Sequence, residues 1–166
     1  MDQNIVRKHT SEIAPGILPV APPENIPEGI FLHYLNSGGF PVLAEGILLG
    51  EIGTRRPSAQ SGVSRRFNRL EKNMIHASHM IPDCFGGSGE KYNLIALPRQ
   101  FNLSEMKRFE NDLALKMQGA KLYLQVFAAY FAPAQQIASD VLYRVFDVSN
   151  GKPVGIARDH SFLVLH

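Results

Sequence analysis

Apolar residues recur along this chain in three regimes, and each predicts a different kind of element. Between Phe40 and Ile52 the run Val42, Leu43, Ile47, Leu48, Leu49 and Ile52, interrupted by Gly46, predicts a hairpin or two short strands. Met74 to Ile81 and Tyr92 to Leu97 are short apolar stretches on either side of Gly86-Gly87-Ser88-Gly89, so two strands joined across a glycine turn are expected. From Asn102 the spacing becomes helical. At about 100° per residue, with Met106 as zero, Phe109 falls near 300°, Leu113 near 340° and Met117 near 20°. Asn102 or Ser104 is placed to cap this helix, Glu105 stands at capping-box spacing from Asn102, and Gly119 ends it. Beyond Gly119 the pattern returns to strands over Lys121 to Phe131 and Val141 to Val148, separated by Ala132-Pro133. Asn150-Gly151 closes the second of these as a turn, and Phe162 to Leu165 adds a last strand. The expected fold class is α+β: an antiparallel sheet against which the helix packs.

Proline content sets the boundary of the domain. Pro15, Pro19, Pro22, Pro23 and Pro27 all fall between Ser11 and Gly29, which predicts an extended connector over residues 1–29 and a folded domain over residues 30–166. A chain of 166 residues buries enough surface to fold as one domain without disulfides. The single cysteine, Cys84, excludes an internal bridge and a cysteine-based zinc site, so any metal here is held by nitrogen and oxygen. Met1 to Thr10 is polar and charged, and no apolar run reaches the roughly 18 residues of a membrane span. The expectation is a soluble protein with no membrane segment. If it is exported, the route reads no cleavable signal.

Net charge is only +2, yet its distribution is uneven. Arg55, Arg56, Arg65, Arg66, Arg69 and Lys72 face a single acid, Glu71, over that stretch. Such a segment is either a solvated loop or a place to hold a polyanion, and its position just upstream of His79 favours phosphate contact.

The densest chemistry lies between residues 78 and 110. His79 can act as a general base, the glycine turn reverses the chain, and the following helix can hold a divalent ion opposite the histidine. Glu110, near 40° on the wheel, and Asn102, near 320°, both fall within the apolar stripe. A carboxylate so placed costs several kcal/mol unless something pairs with it, and a hydrated cation or an arginine such as Arg66 meets that need. Asn102 has an alternative role as a plain helix cap. His76 stands three residues before His79, and on a strand the two point to opposite faces.

Together, Ala77-Ser78-His79-Met80-Ile81, Phe85-Gly86-Gly87-Ser88-Gly89, Asn93-Leu94-Ile95, Asn102 and Glu110 resemble the DNA/RNA non-specific endonucleases of the His-Me finger (ββα-metal) superfamily. Within it the chain is most similar to the branch found as C-terminal toxin domains of bacterial polymorphic toxins. The resemblance covers roughly residues 40 to 165, with Arg56, Gln60 and Gly62 as weaker upstream matches. It implies an antiparallel sheet with an embedded ββα-metal motif and a Mg²⁺-dependent endonuclease, with Mn²⁺ or another divalent ion as a substitute. By the resemblance, His79 is the base, Asn102 the direct metal ligand and Glu110 the group that holds the ion's waters. Arg56 joins His79 in the catalytic set, Arg55, Arg65 and Arg66 bind substrate, and Asn93, Gly86 and Gly87 are structural. Implied partners are DNA, with RNA as a second substrate, and a cognate immunity protein. The implied setting is an interbacterial effector, cytoplasmic in its producer before export and delivered into target cells. Ser78 stands where this family commonly has glycine and the related HNH enzymes have a metal-binding aspartate. That weakens the alternative of a sequence-specific HNH enzyme. The other alternative is a nucleic-acid-binding module that kept the scaffold after losing catalysis.

Overall fold

The computed structural model describes residues 4–8, 27–50, 74–131 and 136–163. Six strands form the main sheet: β1 (Asn4–Lys8), β2 (Phe31–Leu35), β3 (Pro41–Ile47), β6 (Leu122–Ala129), β7 (Asp140–Ser149) and β8 (Lys152–Leu163), in the order β1-β2-β3-β6-β7-β8. Every pairing in it is antiparallel except that of β1 with β2. A separate two-stranded ribbon, β4 (Ile75–His79) and β5 (Leu94–Pro98), leads directly into a helix spanning residues 99–117. The architecture is therefore α+β, with a ββα unit laid against an antiparallel sheet.

Local chemistry explains the turns. Asn36 Oδ1 accepts from the backbone N–H groups of Gly38 and Phe40, both at 3.0 Å, and this sets the β2–β3 reversal. Asn150 and Gly151 both have positive φ, 52° and 74°, the conformation of the two-residue hairpin their dipeptide predicts.

Four expectations need correction. The expected hairpin of Phe40 to Ile52 is not formed over its described residues, 40–50: Pro41–Ile47 is one strand held between β2 and β6. Gly46 is needed there for closeness rather than for a turn, since a Cβ would lie 2.6 Å from both the Ile30 carbonyl oxygen and Phe31 Cδ1. The last strand starts at Lys152, ten residues before Phe162, because a register shift between Val145 and Asp147 and a positive φ at Gly155 break the alternation that would have revealed it. Residues 4–8 enter the main sheet, so the 1–29 stretch is not connector throughout. Finally, the helix begins at Arg99 behind Pro98, and Asn102 lies inside it with helical backbone angles (φ −63°, ψ −36°), so Asn102 is not the cap. Ser104 does not cap either; its hydroxyl donates back to the Gln100 carbonyl at 2.8 Å.

The core sits between the main sheet and the ββα unit. Leu124, Val126, Tyr143 and Val145 from the sheet meet Met106, Phe109 and Leu113 from the helix and Ile95 and Leu97 from the ribbon. Phe109 stacks on Tyr143 at 4.4 Å, and the Tyr143 hydroxyl donates to Met106 Sδ at 3.0 Å, so the helix is fixed to the sheet by shape and by a polar contact. On the opposite face Leu32, Ile47, Tyr123 and Phe146 form a smaller cluster beside a buried Glu45, which accepts from Gln125 Nε2 at 2.6 Å.

His33, on β2, is fully buried with its ring 4.8 Å from that of Tyr92. Burial lowers its pKa to about 4. The unfolded chain therefore takes up a proton first as pH falls, and stability supported by neutral His33 is lost between about pH 6.5 and pH 4. The loss amounts to up to roughly 3 kcal/mol. Thermal midpoints measured across that window should fall, and the drop should shrink in His33→Gln; an equal drop in both proteins would assign the effect elsewhere.

Candidate active site

The glycine turn is built by close packing. After Pro82 a single 3₁₀ turn, Asp83–Phe85, passes into Gly86 at φ 97°, and the N–H groups of Phe85 and Gly87 both donate to the Pro82 carbonyl at 3.0 Å. A Cβ on Gly87 would lie 1.8 Å from the Ile81 carbonyl oxygen, a contact no side chain can make. Gly86 combines the positive φ with a Cβ position 2.8 Å from Leu49 Cδ1.

Asn93 closes the loop between the ribbon strands. It is wholly buried. Its Oδ1 accepts from the Ile81 N–H at 2.9 Å, its Nδ2 donates to the carbonyls of Ile81 and Ser88, both at 2.8 Å, and its own carbonyl accepts from the Met80 N–H. One asparagine thus satisfies backbone that curls away from any strand partner. It holds the turn at the end of β4, where His79 stands.

Register decides which way the β4 side chains face. His76 is opposite Leu97 and Ser78 opposite Ile95, whose side chains join the core beneath the helix, whereas His79 is opposite Leu94 on the other face at the strand's last position. His79 is 8% exposed. The helix-facing side instead brings His76 to Asn102, with Nδ1 and Nδ2 3.4 Å apart.

Asn102 reaches that place because the helix is not uniform. A three-residue α-helical segment, Arg99–Phe101, is followed by a π turn, Asn102–Met106, and then by α-helix over Lys107–Met117. Each residue of the wider π turn rotates by less than the α-helical 100°, so Asn102 swings from its calculated position near 320° toward the direction of Glu110. Glu110 is 24% exposed and its Oε2 lies 3.7 Å from Lys107 Nζ, an exposed pairing one turn away that contributes little. Its charge is felt nearby. Burial, then Glu110 and Asp83, push the Cys84 thiol up to about 11, and burial followed by Glu110 also raises Tyr143. Cys84 therefore stays protonated beside a pair of carboxylates.

Arg55, Arg56, Arg65 and Arg66, with Gln60 and Gly62, lie outside the described residues. Among the described residues no three histidine, cysteine, aspartate or glutamate side chains converge as metal ligands. An amide oxygen at Asn102 and a carboxylate at Glu110 suit a hard divalent cation that keeps most of its own water, so the donors present fit such an ion. His76 is the site residue to which the sequence pattern assigns no role. The signal was available, since residues 76 and 78 share a face, but only the ribbon's register shows that this face meets the helix.

Residues 37–142, well over half of the chain and spanning the whole ββα unit, match the DNA/RNA non-specific endonuclease family. The chain belongs to that family. No individually curated protein is similar enough in sequence to count as a match. Among solved structures, this family member superposes on NucA from Streptococcus agalactiae with no metal bound, at TM-score 0.60 and 9% identity over 82% of this chain and 71% of that one. It also superposes on the same NucA with a magnesium ion bound, at TM-score 0.57 and 10% identity over 86% and 75%. For Sda1 nuclease with a bound zinc ion the TM-score is 0.54 and the identity 16% over 80% and 73%. These likenesses establish a nuclease fold, and the family establishes a nuclease.

Proposed function

We propose that this non-specific endonuclease hydrolyses phosphodiester bonds of DNA, and of RNA, with a divalent ion, Mg²⁺ in the first place, held at Asn102 and Glu110. The observation that carries the reading is the family match across residues 37–142. The ion, when bound, stabilises negative charge on the scissile phosphate and its leaving oxygen. His79, at the strand end steadied by Asn93, takes the proton from the attacking water. Asn102 offers its amide oxygen, and Glu110 accepts hydrogen bonds from the surrounding water. Arg56, with Arg55, Arg65 and Arg66, grips phosphate oxygens, for which the planar guanidinium is shaped. The resemblance of residues 77–110 to polymorphic-toxin nucleases supports a setting as the toxic domain of an interbacterial effector, acting in a recipient cell and silenced in its producer by an immunity protein. Among the described residues no helix is long and apolar enough to cross a membrane.

Purified protein incubated with plasmid and with RNA, in Mg²⁺ and in EDTA, tests the core of this. Degradation to a smear only with the metal is expected, because phosphate contacts carry no sequence information. Replacing Arg65 and Arg66 together should lower the slope of log affinity against log salt by about two. A ladder of a few discrete fragments would instead mean sequence-specific cutting of the HNH kind, and binding without cleavage in any metal would mean a retired scaffold.

Asn102→Ala should move the Mg²⁺ requirement upward with part of the activity recovered at high Mg²⁺. Because Asn102 lies within the helix, stability should stay within about 0.5 kcal/mol of the parent. An unchanged metal titration would remove Asn102 from the site.

A further inference from the structure

We propose that His76 is the positioning residue for Asn102, fixing which end of its amide faces the cation. The inference rests on the reading of Asn102 as the metal ligand and goes one step beyond it. An asparagine side chain has two chemically opposite ends of nearly the same shape, and only Oδ1 can bind a hard cation. Left alone, the amide samples both orientations. In this chain Asn102 Nδ2 lies 3.4 Å from His76 Nδ1, and an amide N–H₂ can only donate, so Nδ1 is the acceptor and Oδ1 is left for the ion. Two features hold the pair in place. His76 sits in the ribbon opposite Leu97, half-buried, on the face that meets the helix. The π turn that starts at Asn102 rotates that residue toward the direction of Glu110 while its amide keeps the contact with the imidazole. His76 is thus set to orient the ligand, and the proton of the attacking water stays with His79 at the end of the strand.

A carboxylate has two equivalent oxygens and needs no such orienting partner, and this gives the test. Mn²⁺ binding to the purified protein, without nucleic acid, is followed by the EPR signal of free Mn²⁺. His76→Ala should weaken Mn²⁺ binding about 10-fold or more, in the range typical of residues that orient metal ligands. His76→Gln, whose side-chain oxygen can accept from Nδ2, should recover most of the loss. In an Asn102→Asp background His76→Ala should change Mn²⁺ affinity by less than about twofold. His76→Leu, which keeps the bulk without the acceptor, replaces the alanine variant if thermal melting shows that the latter does not fold. Wild-type affinity in His76→Ala and His76→Leu overturns the proposal while leaving Asn102 as ligand. Equal losses in the parent and in the Asn102→Asp background also overturn it, because His76 then binds the ion itself. If Asn102→Ala binds Mn²⁺ as tightly as the parent, the ligand reading fails, and the proposal with it.

Discussion

His79→Ala is expected to lower the cleavage rate by roughly 10² to 10⁴ while leaving the melting temperature and nucleic-acid affinity close to those of the parent. A general base contributes to the barrier, not to the packing, and His79 occupies the last position of β4 rather than the cluster of side chains between sheet and helix. On the proposed toxin setting, cytoplasmic expression of the parent should kill bacteria and expression of the variant should be tolerated. His79→Gln keeps hydrogen-bonding capacity without basicity and should be as inactive. Cleavage by either variant at near the parental rate would move the base to another residue. The 3.4 Å contact of His76 with Asn102 makes that histidine the first alternative to examine.

Asn93→Ala should be the most damaging change to stability at the site. It strips partners from the Ile81 N–H, the Ile81 carbonyl and the Ser88 carbonyl at once, all contacted within 2.9 Å inside a fully buried pocket. At about 1–3 kcal/mol for each buried group left unpaired, the loss is on the order of 3–6 kcal/mol, a large part of the stability of a domain this size. Asn93→Asp is nearly the same shape, retains the acceptor and loses the donors, so it should fall almost as far. Urea unfolding of both variants measures the effect. A midpoint within the error of the parent's would show that water replaces the side chain and that the loop holds itself.

The sequence displayed the parts of this site whose signals are local. Gly86-Gly87, the asparagine that follows, the ribbon strands and the helix with Glu110 inside its stripe were all readable, because close approach, positive φ and a 3.6-residue period leave marks on neighbouring residues. What was hidden depends on register and on irregularity. The start of β8 is masked by a bulge, Gly46 reads as a turn although it makes room for Phe31, and Asn102 looks like a cap because nothing in a one-dimensional pattern announces a π turn. The contact of His76 with Asn102 joins residues 26 apart and follows only from the pairing of β4 with β5.

The π turn also divides the helix into two rotational phases. Residues 107–117 keep the phase that sets Phe109 and Leu113 against the sheet, and residues 99–102 keep another, offset by the one residue that the wider turn takes in beyond a regular α-helix. An insertion of that size cannot be shared smoothly along a rigid rod. Tightening the turn to a regular α-helix with the same residues would rotate everything upstream by about 100° about the axis while the core-facing half stayed where it is. One length of helix thus answers to two masters, the hydrophobic interior at its C-terminal end and the contact with His76 at its N-terminal end. The extra residue lets each take the angle it needs.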